Sequence, residues 1–332
     1  MNTPTRDSAR QPDERPGRPA LRLGTRRSVL AMAQSGLVAR AVTEATGRPV
    51  ELVEITTFGD VSREAMSQIG GTGVFVSALR DALLDGSVDF AVHSLKDLPT
   101  AAAEGLALAA VPVREDVRDV LVARDRLKFA DLPPGSRIGT GSTRRAALLR
   151  LLRADVEIVP VRGNVDTRIG YVTSGRLDAV VLAQAGLSRL GRLGEATDAF
   201  EPSALLPCPG QGALAVECRA DNRELVRELG AALDDTPTRR AVEAERALLA
   251  ELEAGCSAPV GAYAIVAEQE LHLTGTVAEA GAEGAGPESF RSIRMSATGP
   301  AAEAGRIGRE LARRMLDQGA DAFALMGKRQ SA

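Results

Sequence analysis

Four arginines sit in or beside two glycine-bearing turns: Arg144 and Arg145 in residues 139–145 (GTGSTRR), Arg162 and Arg168 in residues 161–168 (VRGNVDTR). A guanidinium offers five donors in a rigid fork matched to carboxylate or phosphate, and glycine lets backbone N–H groups approach the same ligand. The pattern reads as a cradle for a small polyanion. A single arginine is ordinarily a solvated surface residue, and nearly every cation of this chain is arginine, with only Lys96, Lys128 and Lys328 as lysines. The weight therefore falls on the clustering. The same scarcity singles out Lys96, in residues 92–99 (VHSLKDLP), as a place where a compact ammonium is wanted.

Asp97 follows Lys96 in what reads as a strand-end loop bounded by Pro99. A carboxylate beside a lysine and facing cations stays ionised, which suits stabilising positive charge that develops on a substrate nitrogen. A helix cap or surface ion pair is the plain alternative. Cys256, in residues 253–260 (EAGCSAPV), follows a long helical pattern and has small neighbours, so its sulfur is open to reaction. Nearby cations would favour the thiolate, although a lone cysteine is ordinarily a small buried hydrophobe. No His/Asp pattern accompanies it, so a protease-like triad is not expected. Residues 56–73 are polar and glycine-ended, as a lid would be. No metal site is expected, because His93 and His272 stand apart from any cysteine pair at ligand spacing.

These groups must be positioned by a folded scaffold, and 332 residues with 44% hydrophobic content supply two or three domains. The net charge of −3 and 3% aromatic content argue against a nucleic-acid partner. No apolar run approaches the roughly 20 residues that cross a bilayer, so no membrane partner is expected. Residues 1–20 are polar and proline-rich, without an apolar export core, and read as a disordered tail or an upstream start codon. Three cysteines, an odd count in a long chain, imply no disulfide framework and point to the cytoplasm.

Strand and helix patterns alternate from residue 21. A strand at 21–25 precedes a helix at about 28–46, whose Leu30, Ala33, Leu37 and Ala41 recur at helical spacing beside Val38 and Val42. Further strands are expected near 50–55, 88–93, 106–111 and 119–123, with a helix at 74–84. A second unit repeats the theme with strands near 137–140, 156–161 and 178–183 and helices at 143–153 and from 165. Such alternation predicts mainly parallel sheets flanked by helices, with ligands at the carboxyl ends of strands and at helix N-termini. Residues 208–219 (CPGQGALAVECR) read as a turn and a strand crossing back to the first unit. A helix at 237–253, strands near 255–266, 271–277 and 290–296, a Gly/Ala/Glu-rich insertion at 278–288 and a helix at 301–316 form a small α+β domain. The expected division is a tail at 1–20, domain 1 at 21–115 with 213–233, domain 2 at 116–212 and domain 3 at 236–332.

Taken in order, residues 23–34, 70–80, 91–100, 114–122, 138–150, 161–168, 182–191, 209–219 and 253–264 closely resemble the porphobilinogen deaminase (hydroxymethylbilane synthase) family. The resemblance implies an α/β fold of two periplasmic-binding-protein-like domains around a cleft, plus a small C-terminal α+β domain. It also implies a transferase that joins four porphobilinogen units head to tail, with loss of ammonia, on a dipyrromethane cofactor attached by thioether to Cys256. Asp97 would be the catalytic carboxylate, taking pyrrole N–H groups while an azafulvene-like cation forms. Lys96, Ser142, Arg144, Arg145 and Arg168 would hold cofactor carboxylates. Arg26, Ser28, Arg162 and Arg189 would hold incoming substrate, with Phe75 packing near the pyrroles. The lid departs from many relatives, having Gln68 and Thr72 where they carry lysine. A cytoplasmic monomer is expected, without nucleic-acid or membrane partners.

Two rivals use the same residues differently. A solute-binding protein would also place two α/β lobes around a cationic cleft, but it predicts an export signal and gives Cys256 no task. A transcription regulator's effector domain would need a DNA-reading helix pair ahead of residue 21, where the tail is too short.

Overall fold

The computed structural model describes residues 18–55, 74–252, 258–279 and 290–321, without the side chains of Val74 and Phe75. The expectations for the first 17 residues, the 56–73 loop with Gln68 and Thr72, the Phe75 ring, Cys256 and most of the Gly/Ala/Glu-rich insertion lie outside the described residues.

From the start of the chain come β1 (Leu21–Thr25), α1 (Val29–Thr46), β2 (Val50–Glu54), α2 (Val74–Leu84), β3 (Phe90–Ser94), a 3-10 turn (Leu95–Asp97) and β4 (Leu106–Ala110). Then follow β5 (Asp119–Ala123), β6 (Arg137–Thr140), α3 (Thr143–Leu152), β7 (Glu157–Pro160), α4 (Val165–Thr173), β8 (Ala179–Ala183), α5 (Gln184–Arg189) and β9 (Asp198–Phe200). After them run β10 (Leu214–Arg219), α6 (Arg223–Leu233), α7 (Thr236–Glu251), β11 (Val260–Ala267), β12 (Glu270–Ala278), β13 (Ser292–Pro300) and α8 (Ala304–Asp317).

Two five-stranded sheets, ordered β2-β1-β3-β10-β4 and β7-β6-β8-β5-β9, form two α/β lobes. Both sheets are mixed rather than mainly parallel. In the first, β1 runs parallel to β2 and β3, while β10 is antiparallel to β3 and β4. In the second, β6 is parallel to β7 and β8, while β5 is antiparallel to β8 and β9. The strands that run against their neighbours are the first the chain makes on entering each sheet from the other. Alternation of strand and helix patterns cannot register that reversal.

Helix α1 is capped by Ser28, whose hydroxyl accepts from the Ala31 N–H at 3.3 Å, and ends at Gly47 in the left-handed region. Its buried face is displaced from the expected one: Val38 and Val42 are inside, but Leu37 is 42% exposed and Gln34 and Ser35 take its place. Their polarity is used. Ser35 Oγ donates to Thr25 Oγ1 at 2.7 Å and Gln34 Nε2 donates to Ser94 Oγ at 2.9 Å, tying α1 to β1 and to the end of β3.

The third sheet, β11-β12-β13, is an antiparallel meander backed by α7 and α8 around Leu248, Leu273, Leu311 and Met315. A Cβ on Gly308 would lie 2.2 Å from the Ala244 carbonyl oxygen, so the close crossing of α7 and α8 needs glycine there. Glu245 of α7, fully buried, fastens this layer to the lobes: it takes both Arg114 Nη atoms at 2.7 and 2.9 Å, the Gly210 N–H at 2.7 Å and the Ala264 N–H at 2.9 Å.

Candidate active site

Strand β3 ends in the turn that carries Lys96 and Asp97. Leu95 and Leu98 anchor it in the core. The Arg246 guanidinium, from α7, donates to the carbonyls of Leu95, Leu98 and Pro99 at 3.4, 3.0 and 2.6 Å. With its ends fixed, the turn holds Lys96 half-buried and Asp97 exposed. Among the described residues the Asp97 carboxylate takes no hydrogen bond, so it stands open to a ligand; Lys96 is the charge beside it.

Facing Lys96 is the N-terminus of α3. Ser142 caps it, accepting from the Arg145 N–H at 3.4 Å. Arg144 and Arg145 occupy its first turn, where the helix dipole disfavours cations. They are nonetheless buried, 3% and 5% exposed. Asp119, at the start of β5, makes this possible: Oδ2 takes Arg144 Nη2 at 2.8 Å, and Oδ1 takes Arg145 Nε and Nη2 at 3.0 and 2.6 Å. The guanidinia also reach the Leu206 and Val181 carbonyls at 2.6 and 3.0 Å. Burial pushes the Asp119 carboxyl up, but Arg144 and Arg145 outweigh it and hold the group far below the usual carboxylate range. Gln211 links the lobes, donating to Asp119 Oδ1 at 2.8 Å and accepting from Lys96 Nζ at 3.3 Å.

One carboxylate does not neutralise this cluster. Desolvation lowers the Lys96 pKa, and the Arg145 charge lowers it further. Desolvation and then Arg145 likewise lower Arg168, whose Nε donates to the Gly163 carbonyl at 2.9 Å. Like charges held within mutual reach raise the energy of the site, and an anion bound among them relieves it. One buried donor is left over: Arg144 Nε has no hydrogen-bond partner among the described residues.

Lys96, Ser142 and Arg144 line one cavity together with Cys208, Pro209, Leu249, Ala258 and Val260. Its enclosed part measures about 20 Å³, and the space out to its open mouth about 310 Å³. The turn after β3, the start of α3, the 208–209 loop, α7 and the start of β11 thus meet around one cavity. Ala258 lies two residues after Cys256 in the sequence.

The other expected residues do not line that cavity. Ser28 caps α1, with half-buried Arg26 just ahead of it, and Arg162 is exposed between β7 and α4. Arg189 ends α5, where Nη2 donates to the Gly212 carbonyl at 2.6 Å; desolvation lowers its pKa, with Glu115 opposing. The α1 and α5 ends approach each other across the lobes, since a Cβ on Gly186 would lie 3.9 Å from Leu30. Asp119, Gln211 and Arg246 were missed from sequence. Their signal was indirect: buried arginines need a buried carboxylate, and a strand-end turn aimed at a ligand needs its carbonyls held.

Residues 21–227 match the family model "Porphobilinogen deaminase, dipyromethane cofactor binding domain", and residues 239–317 match "Porphobilinogen deaminase, C-terminal domain". Porphobilinogen deaminase 1 of Streptomyces coelicolor is 61% identical over 323 residues, covering 93% of this chain and 98% of its own. Porphobilinogen deaminase of Thermobifida fusca is 59% identical over 304 residues, covering 90% and 94%. Among solved structures, an arginine-specific periplasmic binding protein of Salmonella typhimurium is 18% identical with a TM-score of 0.40, covering 65% of this chain and 92% of that one.

Proposed function

The chain belongs to the porphobilinogen deaminase family, and from that premise we propose that it is a hydroxymethylbilane synthase, joining four porphobilinogen molecules with release of ammonia. The observation that carries the reading is a surplus of mutually repelling cations, Lys96 within reach of Arg145 and Arg145 within reach of Arg168, with the exposed Asp97 carboxylate next to Lys96 and taking no hydrogen bond from a described residue.

The matched domain is a dipyrromethane cofactor binding domain, and the donor set fits such a group. Its acetate and propionate arms need several fixed cations, and the leftover Arg144 Nε is a buried donor suited to one of them. Bound through Cys256, the cofactor supplies the primer on which the chain of pyrroles is built. Lys96, Ser142, Arg144, Arg145 and Arg168 are the residues we assign to its carboxylates. Arg26, Ser28, Arg162 and Arg189 we assign to the incoming substrate, with Phe75 beside the pyrroles.

Asp97 is the catalytic residue in this reading. Its carboxylate accepts the pyrrole N–H of the substrate and opposes the positive charge that grows as ammonia departs. That interaction is stronger in the transition state than in the ground state, which is the condition for raising turnover. Lys96 and the arginines act on the side arms, orienting the reacting ring without sharing in the bond change. We assign residues 21–115 with 213–233 and residues 116–212 to the two lobes, and residues 236–332 to the domain that carries Cys256. The working form is taken to be a cytoplasmic monomer with neither nucleic-acid nor membrane partner; no described helix is long and apolar enough to cross a membrane.

Intact-mass spectrometry of the purified protein tests the reading. The expected mass exceeds the sequence mass by one dipyrromethane, and peptide mapping puts the increment on Cys256. A fully active protein at the bare sequence mass would contradict it, and an inactive one that binds porphobilinogen unchanged would favour a binding protein.

A further inference from the structure

The cavity lined by Lys96, Ser142 and Arg144 also contains a nucleophile to which the proposed reaction gives no task. Cys208 is half-buried in its wall, and its sulfur and the Lys96 ammonium are close enough to interact electrostatically. The enclosed space of about 20 Å³ admits a guest the size of one water and little more. Arg144, on the same wall, is 3% exposed and brings the buried Nε that lacks a partner among the described residues. A thiol beside fixed cations, with a spare donor and room for one added oxygen, is suited to peroxide and closed to bulky electrophiles.

We propose that Cys208 is a peroxide-reactive modification site whose sulfenate is held by Lys96 and Arg144, so that its oxidation competes for the cations that grip the cofactor. The competition rests on the function proposed above; the reactivity of Cys208 does not. In the step, the sulfur attacks one oxygen of hydrogen peroxide, an S–O bond forms and the O–O bond breaks. Sulfur is oxidised by two electrons to the sulfenic acid, the departing hydroxide takes up the thiol proton and leaves as water, and loss of the sulfenic acid proton to solvent gives the sulfenate. A thiol reductant reverses the change. The chain contains its own control: Cys218 is fully buried, and desolvation pushes its pKa up to about 11.

The test treats the holoenzyme with graded hydrogen peroxide, denatures it in the presence of dimedone and maps the adducts by peptide mass. Labelling at Cys208 is expected to exceed that at Cys218 by about tenfold or more. Activity should fall in step with it and return with dithiothreitol. A Cys208→Ser variant should keep a larger fraction of its own untreated activity. Equal labelling of the two cysteines would overturn the site. Labelling of Cys208 with no loss of activity, or the same fractional loss in Cys208→Ser, would overturn the competition. Should the untreated protein prove to lack the dipyrromethane mass, the labelling ratio still reports on Cys208, which separates this idea from the function it builds on.

Discussion

Asp97 and Asp119 differ in what surrounds them. Asp97 is exposed and takes no hydrogen bond from a described residue, whereas Asp119 is fully buried and takes four: Oδ1 accepts from Arg145 Nε and Nη2 and from Gln211 Nε2, and Oδ2 accepts from Arg144 Nη2, all at 2.6–3.0 Å, which makes it structural. Asp97→Asn should therefore leave fold and cofactor mass intact while turnover falls by roughly 10²–10³-fold, the usual effect of deleting one group that stabilises developing charge. Steady-state rates on mass-verified holoenzyme decide this; near-normal turnover would remove Asp97 from its role. Asp119→Asn should instead cost about 3–5 kcal/mol of stability, because two buried arginines lose their counter-charge. The Asp119 pKa is lowered on folding, so its contribution is present above the ordinary value of 3.8 and is lost as pH falls toward the folded value. Thermal melts should show wild type and variant far apart at neutral pH and converging in strong acid. Residue types exposed the cations at this scale because arginine beside glycine is visible in a sequence. Asp119 stayed hidden because nothing local marks a carboxylate whose partners lie 25 and 26 residues away.

Among the secondary-structure elements, polar contacts in the first lobe do what apolar periodicity does elsewhere. Gln34 and Ser35 share the buried face of α1 with Val38 and Val42, which is why a reading based on hydrophobic spacing found the two valines but put Leu37 inside as well. A buried cluster joins α2, β3 and β10: Arg80 Nε and Nη2 reach the two Glu217 oxygens at 3.0 and 2.8 Å, and His93 Nε2 lies 3.3 Å from Glu217 Oε2 without the alignment of a hydrogen bond. Desolvation raises the Glu217 pKa, but His93 and Arg80 prevail and bring it down to about 2 from 4.5. A lowered carboxyl stabilises the fold above its ordinary value and ceases to do so as pH falls through its folded value, so this cluster should weaken between about pH 4.5 and 2. The shift corresponds to roughly 3 kcal/mol. Glu217→Gln should lower the melting temperature at neutral pH, and the difference from wild type should shrink through that window. A difference that stayed constant with pH would mean the carboxylate charge does not hold these elements together.

For the whole molecule, alternating patterns indicated two α/β units and a dissimilar third, while the mixed sheets and the joint between lobes depend on contacts remote in sequence. That joint is where residues 115–116 and 211–213 pass between the sheets side by side. The Glu115 N–H donates to the Gly212 carbonyl at 3.2 Å, and Arg189 donates to the same oxygen at 2.6 Å. Gly212 has φ +87, and a Cβ there would lie 2.3 Å from the Glu115 carbonyl oxygen and 3.2 Å from that of Asp116. The close approach of the two crossings, and with it the spacing of Lys96 from the α3 N-terminus, depends on this residue having no side chain. Gly212→Ala should combine the backbone strain of a left-handed conformation with a clash against main chain that has no rotamer to escape into. Gly47→Ala isolates the first cost, because Gly47 has φ +70 and nothing within 4 Å of a built Cβ. The Gly47 change should lower stability by about 1 kcal/mol, and the Gly212 change by several times that, read as a clearly larger fall in melting temperature and a lower yield of cofactor-bearing protein. Equal falls for the two variants would mean that the crossings separate freely, and that the lobes do not owe their spacing to this contact.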